Sequence, residues 1–160
     1  MFEKKALVFL VKFFAIYSVL QYLIIAMPLA WLKQWIAGFE AGMLGLEAVG
    51  NAILLQGHRF EIVANCTGLM GISVLAAIIF SLRRPGLKAK AVVFAFGALI
   101  LFPLNLFRVY LVLLAATVWG AGVAETLHVF TWFTTSALIL GLWYYITKKA
   151  AGKKEFSKML

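Results

Sequence analysis

Four long runs without charge alternate with short charged segments along this chain. Residues 13–32 form the first run, with Pro28 near its end and Lys33 just beyond. Residues 62–82 form the second. Residues 91–124 form the third and contain a single charge, Arg108, while residues 126–147 form the fourth, uncharged apart from whatever charge His128 carries. A helix needs roughly 20 apolar residues to cross about 30 Å of hydrocarbon, so each run predicts a spanning helix. The expected spans are about 13–32, 62–82, 91–118 and 126–147, the third open to a kink near Pro103. Basic residues precede the first run as they would in a signal peptide. That run is longer than an h-region of about 7–15 residues and ends in no small-x-small cleavage site, so it reads as a retained helix.

Residues 33–61 follow another pattern. Lys33, Glu40 and Glu47 recur every seven positions and share one stripe of a helix. Ile36, Phe39, Met43, Leu46, Val49 and Ile53 form a broad apolar face beside it. This predicts an amphipathic helix on the membrane surface or over the bundle, weakened by Gly38, Gly42, Gly45 and Gly50. Two β-prone stretches around Gly57 predict a small hairpin. The fold class expected is therefore an all-α membrane protein: one polytopic domain, residues 1–160, with about four transmembrane helices, an outer amphipathic helix and a hairpin.

Composition agrees. The chain is 64% hydrophobic and 13% charged, against about 45–50% and 25% in soluble domains. The net charge of +9 raises nucleic acid as a partner, but its distribution points elsewhere. Three Lys/Arg precede the first span, four lie in the turn 83–90 and five in the tail 148–160. Segment 33–61 holds only Lys33 and Arg59, and the turn 119–125 holds none. Basic residues mark the cytoplasmic side. This predicts a multi-pass protein of the cell membrane, with both termini inside and segment 33–61 outside. Nucleic acid is not needed to explain the charge.

That topology brings three reactive side chains to one depth. Cys66, the single cysteine, lies near the outer end of the second span. Arg108 lies about 26 Å from the inner face at 1.5 Å per residue, and His128 is at the outer end of the last span. Each has an ordinary structural role open to it. A lone cysteine packs as a small hydrophobe, a terminal histidine sits at the interface, and an arginine can snorkel or pair with Glu61 or Glu125. An arginine inside a span is nonetheless costly and tends to mark function. His58, in the outer segment, is an alternative partner.

Together the three suit acyl transfer. Cys66 as thiolate attacks a carbonyl, favoured by a helix N-terminus or a nearby cation. His128 takes the thiol proton and later protonates the leaving amine, and Arg108 stabilises the oxyanion. Glu125, three residues before His128, can orient the imidazole. Asn105, three before Arg108, can hold the guanidinium or a substrate carbonyl. The lone cysteine excludes an internal disulfide and a multi-cysteine metal site. The sequence carries no metal cluster, phosphate loop or dinucleotide fingerprint, so neither a metal nor a cofactor is expected.

These residues resemble a family. Ala64-Asn65-Cys66-Thr67-Gly68-Leu69 is similar to the Cys-(Ser/Thr)-Gly motif of the exosortase/archaeosortase family, with Thr67 and Gly68 as its last two positions. Asn105-Leu106-Phe107-Arg108 resembles that family's Asn-x-x-Arg motif, and His128 matches its third catalytic position. The resemblance covers roughly residues 40–145. It implies a membrane cysteine transpeptidase acting on secreted proteins that end in a short motif, a transmembrane helix and a basic cluster. Cys66 would hold the cleaved protein as a thioester, and an acceptor, held in archaeal members to be a lipid, would release it. Two other readings remain: a membrane cysteine protease in which water resolves the thioester, and a non-enzymatic small transporter or assembly subunit in which Arg108 binds an anion.

Overall fold

The structure is a computed structural model that describes residues 2–55, 57–84 and 86–151, without the side chains of residues 2, 3, 146, 147 and 149–151. Five helices and a small sheet make up the chain: α1 (Phe2–Ala26), α2 (Ala30–Leu44), β1 (Glu47–Val49), β2 (Ala52–Leu55), β3 (His58–Glu61), a 3₁₀ turn (Ala64–Thr67), α3 (Leu69–Ser81), α4 (Leu87–Trp119) and α5 (Ala121–Ala151). This is an all-α membrane protein carrying one small three-stranded sheet. Among the described residues, three helices are long and apolar enough to cross a membrane: Lys4–Ala26, Leu87–Trp119 and Ala121–Tyr145.

The helix boundaries differ from the hydropathy pattern for local reasons. The first helix lies upstream of 13–32 and takes in the basic residues from Lys4 on, because lysine is a good helix former. It stops at Ala26, and α2 opens at Ala30 beyond Pro28, whose ring is costly at an interior helical position. The run 62–82 does not form one helix. Its first residues are extended and 3₁₀, and Gly68 at φ +80° separates them from α3. With 13 residues, α3 rises only about 20 Å. Helix α4 continues unbroken through Pro103. It starts within the basic turn, at Leu87, and α5 starts at Ala121, before Glu125. The basic tail beyond Ala151 lies outside the described residues.

Helix α4 is the spine. Of the three long helices it is the most enclosed, with 39% of its most apolar window buried against 6% for α1 and 11% for α5. Gly97 lets Leu75 of α3 press directly onto its backbone. Gln21 of α1 donates to Ser73 of α3 at 2.7 Å, a polar tie between two helices inside the apolar region.

Helix α2 turns the expected way round only in part. Leu32, Ile36, Ala37 and Ala41 are buried against Val109 and Leu113 of α4 and against Ile53, Ile62 and Cys66. Phe39 and Met43, expected on the buried face, are exposed in a stripe with Trp31 and Trp35. Glu40, expected on the polar stripe, is completely buried. Aliphatic residues and Glu40 face the protein and the large aromatic ones face outward, as suits a helix at the membrane boundary. Gly45 at φ +66° ends the helix, so Leu46, Val49 and Ile53 belong to the sheet region instead.

The predicted hairpin is β2–β3, joined in register from Ala52↔Glu61 to Leu55↔His58. Strand β1 adds a third, antiparallel member, with Val49 opposite Ala52. Gly50 and Gly57, both at positive φ, make the two turns. Asn51 then fastens the sheet to the next segment: its carbonyl accepts from the Ile62 N–H at 2.8 Å, and its Nδ2 donates to the Ile62 carbonyl at 3.2 Å.

Candidate active site

The 3₁₀ turn after that clamp presents Cys66. The Cys66 N–H donates to the Val63 carbonyl at 2.9 Å. Thr67 Oγ1 donates to the Ala64 carbonyl at 2.7 Å and accepts from the Leu69 N–H at 3.4 Å, so Thr67 ties the turn to the start of α3. Cys66 itself precedes α3 by three residues and lies outside its first turn. Its thiol is free and buried.

Asn105 acts differently from the expectation that it holds Arg108 or a substrate carbonyl. Its Nδ2 donates to the Cys66 carbonyl at 2.7 Å, with the side chain buried. This satisfies a main-chain acceptor that regular helix would otherwise have satisfied. Gly68 is what allows the approach: a Cβ there would stand 3.1 Å from Cβ and Cγ of Asn105. The two motifs, Cys-Thr-Gly and Asn-x-x-Arg, therefore meet through Gly68 and Asn105.

Arg108 lies one helical turn further along α4. It is buried, and neither Nε nor Nη2 has a hydrogen-bond partner among the described residues. It does not pair with Glu61, which takes Arg59 at 3.3 Å instead, nor with Glu125. Its guanidinium lies over the Trp132 indole, 5.1 Å from the ring centroid, and within electrostatic reach of both Cys66 and His128. Such a cation–π contact compensates in part for lost hydration and leaves two donors free.

His128 is half-buried on α5. Its Nε2 accepts from the Trp132 indole N–H at 3.1 Å, and the two rings meet edge-on. The expected orienting contact from Glu125 is not formed, because that exposed carboxylate lines the cavity without bonding the imidazole. Trp132 is the residue that sequence reasoning missed. It sits one turn beyond His128, and only that i, i+4 spacing hinted at a link. With Nε2 accepting, the neutral imidazole carries its proton on Nδ1. His58 is exposed on β3 and lines neither cavity described below.

Two cavities flank this constellation. One, of about 320 Å³, is lined by Cys66, His128 and Glu125 together with Glu61, Ile62 and Val109. The other, of about 370 Å³, lies between α1, α3, α4 and α5. Arg108, Asn105, Asn65 and Trp132 line one end of it, and Val74, Leu101 and Leu140 the apolar remainder. Cys66 and His128 thus share a cavity, while Arg108 borders the neighbouring one and Trp132 bridges them.

Compared with known families, residues 4–145 match the sequence profile of the transmembrane exosortases, the EpsH type. The chain belongs to the transmembrane exosortase family. No curated protein matches this exosortase, and no solved structure does. The match spans the three long helices up to Tyr145 and includes Cys66, Arg108 and His128.

Proposed function

We propose that this exosortase is a cysteine transpeptidase that cleaves secreted proteins at a C-terminal sorting signal and passes them to an acceptor nucleophile, a membrane lipid being one candidate. The observation that carries this reading is the shared cavity of Cys66 and His128, with a buried guanidinium of two free donors beside it. Cys66 gives up its proton to His128, and its thiolate adds to the carbonyl carbon at the cleavage point. Nε and Nη2 of Arg108 are the free donors for the resulting oxyanion. The C–N bond breaks as the imidazolium protonates the leaving amine, which leaves a thioester on Cys66. The acceptor then loses its proton to His128 and attacks the thioester, and the thiolate departs and recovers that proton. Because Nε2 rests on Trp132, the imidazole must leave the indole before it accepts a proton there.

In this reading the sheet and α2 face outward and both chain ends face the cytoplasm. The cationic residues at the far ends of α1 and α3 support that orientation. The test is co-expression with a substrate carrying a sorting signal. Cys66→Ala should abolish processing at unchanged protein level, and retained processing removes Cys66 from the chemistry. Mass analysis of the new C-terminus separates transfer from hydrolysis: an adduct supports the transpeptidase, and a free carboxylate supports a cysteine protease. Loss of function in Arg108→Ala but not in Cys66→Ala would instead indicate an anion-binding transporter or assembly subunit.

A further inference from the structure

A third cavity, of about 380 Å³, lies at the opposite end of the molecule from Cys66. It is lined by Lys4, Lys5, Val8, Phe9 and Lys12 of α1 and by Ser81 and Arg83 at the end of α3. Four cations converge there, and none of the described lining residues is acidic. Four of the six acidic residues, Glu40, Glu47, Glu61 and Glu125, belong to the other end of the chain's fold.

The cations are not explained by position alone. Helix α1 has 25 residues and rises about 37 Å, several ångströms more than the hydrocarbon needs, so Lys4 and Lys5 reach headgroup level. Lys12 stands two turns deeper, about 10 Å from Lys5 along the axis. There a lone ammonium is costly unless it meets an anion. Lys90 adds to the crowding: it lies within electrostatic range of Lys12, and its Nζ is turned to the Leu82 carbonyl. Beside the cavity, Leu7, Val8, Leu10, Val11 and Phe14 are exposed along α1. A cationic recess thus opens beside an uncovered apolar helix face, an arrangement that fits a phosphate head with its acyl chains alongside.

We propose that this recess binds an anionic phospholipid of the cytoplasmic leaflet, its phosphate held by Lys5, Lys12 and Arg83. The lipid would brace α1 against α3, two helices whose described charged side chains at these ends are all cationic. The occupant is a lipid rather than a free anion because the apolar face of α1 continues directly from the recess. Basic pockets between helices on the cytoplasmic side are suited to such heads.

The test uses the full chain purified in neutral detergent, with thermal unfolding and native mass spectrometry in mixed micelles of phosphatidylglycerol or phosphatidylcholine. Phosphatidylglycerol should raise the unfolding midpoint and remain bound in the gas phase, and phosphatidylcholine should do neither. The double variant Lys12→Gln/Arg83→Gln should weaken phosphatidylglycerol binding about 25-fold, roughly fivefold for each charge. The pair Arg84→Gln/Lys88→Gln, equally basic but outside the recess, should leave binding unchanged. Equal losses in the two pairs, or an equal response to phosphatidylcholine, overturn the proposal. Displacement of the lipid by inorganic phosphate at matched concentration overturns the lipid as occupant. Should the first pair fail to fold, Lys5→Gln alone gives the same comparison at headgroup level, with a fivefold loss expected and no loss refuting.

Discussion

Gly68 and Gly45 offer a controlled pair for testing how the two motifs are joined. Both have left-handed backbone, φ +80° and +66°. Alanine at either position meets the same kind of backbone penalty, about 1–2 kcal/mol. They differ in their surroundings. At Gly45 a Cβ has nothing within 4 Å, whereas at Gly68 it stands 3.1 Å from Cβ and Cγ and 3.2 Å from Nδ2 of Asn105. Carbon contacts are optimal at about 3.5–4.0 Å, and Cβ of Asn105 is fixed to the α4 backbone and cannot swing away. Either α4 moves or Asn105 rotates and gives up its bond to the Cys66 carbonyl. Losing that buried bond and stranding its members costs about 1–3 kcal/mol. Gly68→Ala should therefore destabilise by that much more than Gly45→Ala. At about 2–4 °C per kcal/mol for a chain of this size, the midpoints of thermal unfolding in detergent should be clearly separated. In an Asn105→Ala background the bond to the Cys66 carbonyl and the Cγ and Nδ2 contacts are gone and only the Cβ contact remains, so the excess should shrink. Equal midpoints for the two glycine variants, or an excess undiminished by Asn105→Ala, would refute the proposed junction.

Three further outcomes are expected. Trp132→Phe keeps a ring beneath Arg108 but removes the N–H that holds Nε2 of His128. In ¹⁵N-histidine NMR the wild type should show His128 as the Nδ1–H tautomer, and the variant should shift toward Nε2–H; an unchanged spectrum would dissociate Trp132 from the imidazole. Glu40 is buried on α2 with neither oxygen partnered among the described residues, and burial raises its pKa from 4.5 to about 7. Between those values the unfolded chain is ionised while the folded one stays protonated. Stability should therefore fall as pH rises from about 4.5 through 7 and level off above. Glu40→Gln should flatten that slope in thermal unfolding across the same range, and a slope left unaltered would place the titration elsewhere. Finally, Arg108→Lys should fail to restore processing of a co-expressed substrate lost in Arg108→Ala, because a lysine lacks the flat fork that both stacks on Trp132 and offers two donors; full rescue would mean that only the charge matters.

Charge-free runs and basic clusters made the membrane class and the long third and fourth helices legible in the sequence. Those features follow from transfer energies that act residue by residue. The run 62–82 misled because hydropathy is blind to backbone geometry, and Gly68 breaks the helix without adding charge. The burial of Glu40 also went unseen, since a seven-residue stripe of charges suggests a wetted face; at a membrane boundary the aromatic residues take that face instead. Asn105 and Trp132 were each close to a recognised residue, yet their partners lie across packed elements or depend on ring orientation. The link from Asn105 to the Cys66 carbonyl joins residues 39 positions apart, and no spacing rule reaches that far.

The shortness of α3 has a consequence for the chain that continues its line. Its 13 residues reach only about two-thirds of the way through a normal bilayer. The stretch above it is irregular chain whose peptide groups call for water or side-chain partners. No residue of α3 is exposed, so the missing third is made up inside the protein, by side chains such as Asn105 and Asn51. On the proposed reading, a substrate strand would meet the thiol among peptide groups already held by side chains rather than at the end of a regular helix.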